Sequence, residues 1–238
     1  MLWFDPVYLL FVALPLLVLS ILAQLWVRSA YAQAARILNR RGITGAQAAH
    51  YILQHAGIVD VVVEEHHGFL SDHYDPRSRV VRLSPDVYRN PTLAAVGIAA
   101  HEVGHAIQHA TGYALLTIRN LAVPLASIGS NVGYFVIFIG LLMAWGGAPT
   151  LNIFTTLGLL LIAAVAFFQI VNLPVEINAS TRALRLLTEV GIVDHDELPT
   201  VRGVLTAAAF TYVAATAAAV LELLYWLWRL GLLGGRDD

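Results

Sequence analysis

The sequence predicts an α-helical membrane protein, with four transmembrane helices and a small α+β unit on the cytoplasmic side. Three observations carry this prediction. Hydrophobic residues make up 58% of the 238 residues and charged residues only 13%, against roughly 45–50% and 25% in soluble domains. Three charge-free stretches are each long enough to cross a bilayer. The cations, all of them arginine, cluster between those stretches. The expected partner is therefore the lipid bilayer. With a net charge of −2, no basic face can be assembled for a nucleic-acid partner. The chain has no Cys, which excludes a disulfide framework and any thiolate-ligated metal.

Each element has its own warrant. Residues 1–27 form the first span: Pro6 to Val27 is free of charge between Asp5 and Arg28. This run exceeds a signal-peptide core, and no small-residue cleavage site follows it. Residues 28–120 form the α+β segment. Within it Thr44 caps a helix running to Ala56, which Gly57 ends. Ile58 to Glu65 is rich in β-branched residues and predicts a strand. Ser71 to Pro76 predicts a turn, and Arg79 to Leu83 a second strand. Asn90 and Pro91 predict the N-cap and first-turn proline of a helix running to Thr111, with Gly112 at its end.

Asn120 to Val175 carries no charge and is too long for one helix. Gly146-Gly147-Ala148-Pro149 divides residues 121–173 into a hairpin of two spans, 121–145 and 151–173. Residues 174–205 are polar again. Residues 206–230 form the fourth span, with Tyr225, Trp226 and Trp228 as an aromatic belt at a membrane interface. Glu222, one turn earlier, is expected to reach water from that interface. Twelve of the fourteen arginines fall in residues 28–120 and 174–205. The positive-inside rule then places both segments in the cytoplasm and both termini outside. The hairpin makes the same demand independently, because two crossings return the chain to the side it left.

Chemistry concentrates in His101-Glu102-Val103-Gly104-His105, an H-E-x-x-H pattern within a predicted helix. Residues i and i+4 share a helix face, so two imidazoles converge on one ion. Glu102 lies about 100° around from His101, within reach of a water on that ion without ligating it. Neighbours such as Leu93, Val96, Ile98 and Val103 are apolar, so a charge buried among them needs a partner. The pattern predicts Zn2+ held by His101 and His105, with Glu102 as the catalytic base and acid of peptide-bond hydrolysis.

The run Ala100 to Gln108 resembles the YugP-like neutral zinc metallopeptidases of bacterial membranes. So do Asp72-His73-Tyr74-Asp75-Pro76 and Leu173-Pro174-Val175-Glu176-Ile177-Asn178-Ala179-Ser180, and the resemblance covers nearly the whole chain in order. It implies a minigluzincin-like unit, distantly similar to HtpX-type and CaaX-processing membrane peptidases, in which a downstream Glu is the third zinc ligand. That residue is Glu176 here. HtpX-type relatives carry Asp four residues later; this chain has Ser180, with Asn178 as a substitute in that role. The residues agree with Glu176. It is the first charge after the apolar hairpin, and His109 lies about 12 Å along the helix from His101, too far to share an ion. The competing reading of Glu176 is a salt bridge to Arg119 or Arg182.

Other groups carry weaker signals. His73, Tyr74 and Tyr212 are candidate oxyanion donors. Glu64-Glu65-His66-His67 is either an auxiliary metal site or a solvated strand end. Arg79 to Leu83 could be an edge strand that pairs with an extended substrate. The expected substrate is a peptide or membrane protein near the cytoplasmic face. Two rival functions are a site-two-type intramembrane protease, which needs an Asp ligand that residues 120–175 lack, and a non-catalytic zinc-binding scaffold, which has no use for Glu102.

Overall fold

The computed structural model describes residues 5–68 and 71–233, so residues 1–4 of the expected first segment lie outside the described residues. Helix α1 runs Pro6–Ala34. It opens with Pro6 at its first position and the Asp5 carboxylate accepting from the Val7 N–H at 2.9 Å. Helix α2 is Gly45–His55. Strands β1 (Val62–Glu65), β2 (His73–Asp75) and β3 (Val80–Leu83) follow. Then come a short α3 (Pro85–Arg89), α4 (Leu93–Ala110), α5 (Ala114–Trp145), α6 (Ile153–Glu189) and α7 (Leu198–Arg229).

Helices α1, α5, α6 and α7 are long and apolar enough to cross a membrane. Leu10 and Phe11 on α1, Phe135 on α5 and Leu160 on α6 are all exposed. Such surfaces are disfavoured in water by roughly 25 cal/mol per Å² but are at no disadvantage against lipid tails. The chain is a multi-pass membrane protein.

Two compact units share the chain. Residues 1–22, 118–173 and 212–238 form one, residues 23–117 and 174–211 the other. In the first unit, glycines let α5 and α6 meet backbone to backbone: a Cβ on Gly129 would come within 2.4 Å of the Leu161 carbonyl oxygen, and one on Gly140 within 2.5 Å of the Thr155 nitrogen. Small residues serve this purpose in lipid, where no hydrophobic force drives helices together. Asn152 caps α6, accepting from the Phe154 and Thr155 N–H groups. Of the aromatic belt, Tyr225 and Trp226 are buried in this unit's core and Trp228 is exposed; the Tyr225 hydroxyl donates to Asp5 at 2.8 Å. Glu222 accepts from the Tyr8 hydroxyl at 2.7 Å.

The second unit is the α+β one. Thr44 caps α2 as the sequence predicts, in a reciprocal pair with Gln47, and Gly57 follows it at φ +69°. Elsewhere the local readings shift. The strand starts at Val62 rather than Ile58, because the Ile58 N–H is taken by the Leu53 carbonyl in closing α2. The stretch read as a turn contains β2, which pairs antiparallel with β3. Helix α4 is capped by Thr92, whose hydroxyl accepts from the Ala95 N–H. Pro91 stays outside, with its carbonyl accepting from Asn39. The sheet order is β1-β3-β2, with β1 and β3 parallel. Its inner face places Val63 and Val81 in a core shared with Ile52, Val96, Val103 and Leu187. Its outer face is polar: Arg82 on β3 pairs with Glu64 on β1 and with Asp75 on β2. Helix α6 continues through Pro174 without a break.

Candidate metal centre

Helix α4 packs closely because its inward residues are small: Ala95, Ala99, Ala100, Gly104 and Ala106 are all buried. The contact with α6 is close at Gly104, where an added Cβ would sit 2.7 Å from the Ala179 carbonyl oxygen. That approach brings a carboxylate of α6 between two imidazoles of α4. Glu176 Oε2 lies 3.3 Å from His101 Nε2 and 3.5 Å from His105 Nε2. Among the described residues, these three form the one group of three or more His, Asp or Glu side chains whose ligand atoms all lie within 4.8 Å of one another.

The spacing fits a tetrahedral ion. Donors about 2.0–2.1 Å from zinc at tetrahedral angles stand roughly 3.3–3.4 Å apart, close to the Glu176 distances of 3.3 and 3.5 Å. The donor set of two imidazoles and a carboxylate is of the kind that holds zinc with one position open. The other imidazole nitrogens are occupied from behind. His101 Nδ1 lies 3.1 Å from Ser180 Oγ, and His105 Nδ1 lies 2.9 Å from Gln108 Oε1. Ser180 therefore holds the place behind a ligand for which the sequence offered Asn178 as a substitute. Asn178 is one step further back, accepting from Gln108 Nε2 at 3.0 Å and from Arg182 at 2.8 Å. Burial pulls the His105 imidazole towards the neutral form, but Glu176 and Glu102 outweigh it and its pKa is raised.

Glu102 is buried, and its Oε2 accepts from the Tyr74 backbone N–H at 3.1 Å. This anchors the carboxylate to β2. Strand β2 is in turn held by Asp72, whose half-buried carboxylate accepts from the Ser84 N–H at 2.7 Å and whose pKa is raised by partial desolvation. The anchoring of Glu102 has no sequence signal, because a backbone donor leaves no mark on residue identity.

The weaker candidates separate clearly. Tyr74 Oη lies 2.8 Å from His109 Nδ1, so both side chains are engaged with each other. His73 is exposed, with its Nδ1 2.7 Å from the Ser71 carbonyl oxygen and its ring against His66. Glu64 and Glu65 pair with Arg82 and Arg89 rather than gathering around a second ion. Tyr212 belongs to the other unit. Strand β3 has neighbours on both sides and is no edge; the edge strands are β1 and β2.

Residues 8–231 match the profile of a family described as "Putative neutral zinc metallopeptidase". The chain belongs to this family. It is 40% identical over 229 residues to a Bacillus subtilis (strain 168) protein named "Putative membrane protease YugP", covering 96% of this chain and 98% of that one. No solved structure matches.

Proposed function

We propose that this family member is a membrane-embedded zinc endopeptidase of the gluzincin type, cleaving peptides or membrane proteins near the cytoplasmic face. The observation that carries it is the convergence of His101 Nε2, His105 Nε2 and Glu176 Oε2, with Glu102 anchored beside them. Zinc, when bound, would polarise the scissile carbonyl and acidify a water. His101, His105 and Glu176 would hold it. Glu102 takes a proton from the attacking water and delivers it to the leaving amine. The Tyr74 N–H holds one Glu102 oxygen, which restricts the rotamers of the carboxylate and leaves its other oxygen for the proton transfer. The cytoplasmic placement rests on the arginine distribution and on the hairpin.

Glu102→Gln tests the assignment. The amide cannot accept the proton, so the variant should fold and keep one zinc per chain by elemental analysis. It should lose about 10²- to 10⁴-fold of its hydrolysis of a peptide panel in detergent. Glu176→Ala should lose both metal and activity. Wild-type turnover by a zinc-loaded Glu102→Gln protein would refute the role of Glu102. A wild-type protein that binds zinc and cleaves nothing on the panel would favour a scaffold.

A further inference from the structure

Most arginines of the second unit are matched to partners. Arg40 and Arg41 face Asp194 and Asp196, Arg79 faces Asp60, Arg82 faces Glu64 and Asp75, and Arg89 faces Glu65. Arg202 has no hydrogen bond or ion pair among the described residues. It is exposed on the second turn of α7, where it lines a groove of about 390 Å³ together with Trp26, His195, Pro199, Gly203 and Thr206. That volume is within the range that accommodates a small ligand.

The groove's position in the chain is informative. Trp26 is the penultimate residue of the charge-free run Pro6 to Val27, and Arg202 is the last charge before the apolar run of the fourth span. Both charge-free runs meet their polar flanks here, which is where a four-span topology puts the headgroup layer. Trp26 packs on Phe210, with ring centroids 5.3 Å apart, and remains 45% exposed; Leu25 beside it is 59% exposed. Arg202 and Thr206 are four residues apart on one helix face, offering a guanidinium and a hydroxyl as donors. Gly203 between them leaves the floor open, since a Cβ there would meet nothing within 4 Å. The acids that precede Arg202 in the chain are engaged elsewhere: Asp194 and Asp196 pair with Arg40 and Arg41, and Glu197 accepts from the Arg40 and Asp194 N–H groups. A cation, a neutral donor and an aromatic ring beside exposed aliphatic surface suit one ligand: a phosphate that carries acyl chains.

We propose that this groove binds the headgroup of an anionic phospholipid, with the phosphate on Arg202 and Thr206 and the glycerol end against Trp26. The test equilibrates full-length detergent-solubilised protein with phosphatidylglycerol, phosphatidylcholine or inorganic phosphate, then measures retained ligand by native mass spectrometry. Phosphatidylglycerol should be retained in preference to phosphatidylcholine, and millimolar phosphate should not displace it. Arg202→Gln should weaken retention about tenfold, as expected for loss of a charge-assisted hydrogen bond. Thr206→Val, a near-isosteric change on an exposed position, should weaken it less but measurably. Arg36→Gln, which removes an exposed cation away from the groove, should leave it unchanged. Equal losses in Arg202→Gln and Arg36→Gln would mean unspecific charge attraction and overturn the proposal. So would wild-type retention by both groove variants, or displacement of the lipid by free phosphate.

Discussion

A glutamine with no solvent exposure must satisfy both ends of its amide inside the protein, and Gln108 does so in a way that dictates the state of a neighbour. Its Nε2 donates to the Val175 carbonyl at 2.8 Å, an atom that can only accept. The other amide atom is therefore the oxygen, and the contact with His105 Nδ1 at 2.9 Å must be a donation from the imidazole. With one proton fixed on Nδ1, Nε2 is the nitrogen left for the proposed ion. Gln108→Leu removes the acceptor and should weaken zinc affinity about 10- to 100-fold, measured by competition with a chromogenic chelator. His109→Ala, one residue on, should leave zinc affinity unchanged because that imidazole faces Tyr74. Unaltered affinity in Gln108→Leu would show that His105 needs no support from behind.

At the scale of elements, the centre depends on how closely α4 and α6 approach, and Gly104 sets that distance. A methyl at this position meets backbone, the Ala179 carbonyl oxygen at 2.7 Å, which cannot rotate away as a side chain could. Gly104→Ala should therefore cost about 1–3 kcal/mol through overpacking, despite alanine's better helix propensity. It should also weaken zinc binding by drawing Glu176 away from the two imidazoles. Thermal unfolding in detergent with and without chelator separates these effects, and an unchanged or raised midpoint with intact metal affinity would contradict the close-packing argument. The sequence announced much of this architecture. The four spans, the capped α2 and the ligand helix follow from charge-free runs, the Thr44–Gln47 pair and the i, i+4 histidines. It did not announce β2, because a three-residue strand within Asp72-His73-Tyr74-Asp75-Pro76 has the composition of a turn and owes its pairing to β3. Nor did it reveal the start of α4: Asn90-Pro91 has the right residue types, but Pro91 is held outside by Asn39, and Thr92 takes the cap.

For the whole molecule, the question is which side of the membrane the candidate centre faces. One compact unit gathers residues 23–117 and 174–211 from the two arginine-rich segments. Two polar segments that fold against each other must share a side, so the intervening α5–α6 hairpin has to cross and return. Under the proposed four-span topology, twelve arginines in those segments favour the cytoplasm for them and the outside for the turn at residues 146–150. The absence of native cysteine makes this directly measurable, since any introduced thiol is the only one in the chain. Thr150, in the hairpin turn, and Arg77, between β2 and β3, are both exposed, so cysteine at either position disturbs little packing. In spheroplasts, a membrane-impermeant maleimide should label Thr150→Cys directly and Arg77→Cys only after the membrane is opened. Labelling of both before permeabilisation would rule out the four-span arrangement. Labelling of Arg77→Cys alone would invert it and place the proposed peptidase centre outside the cell.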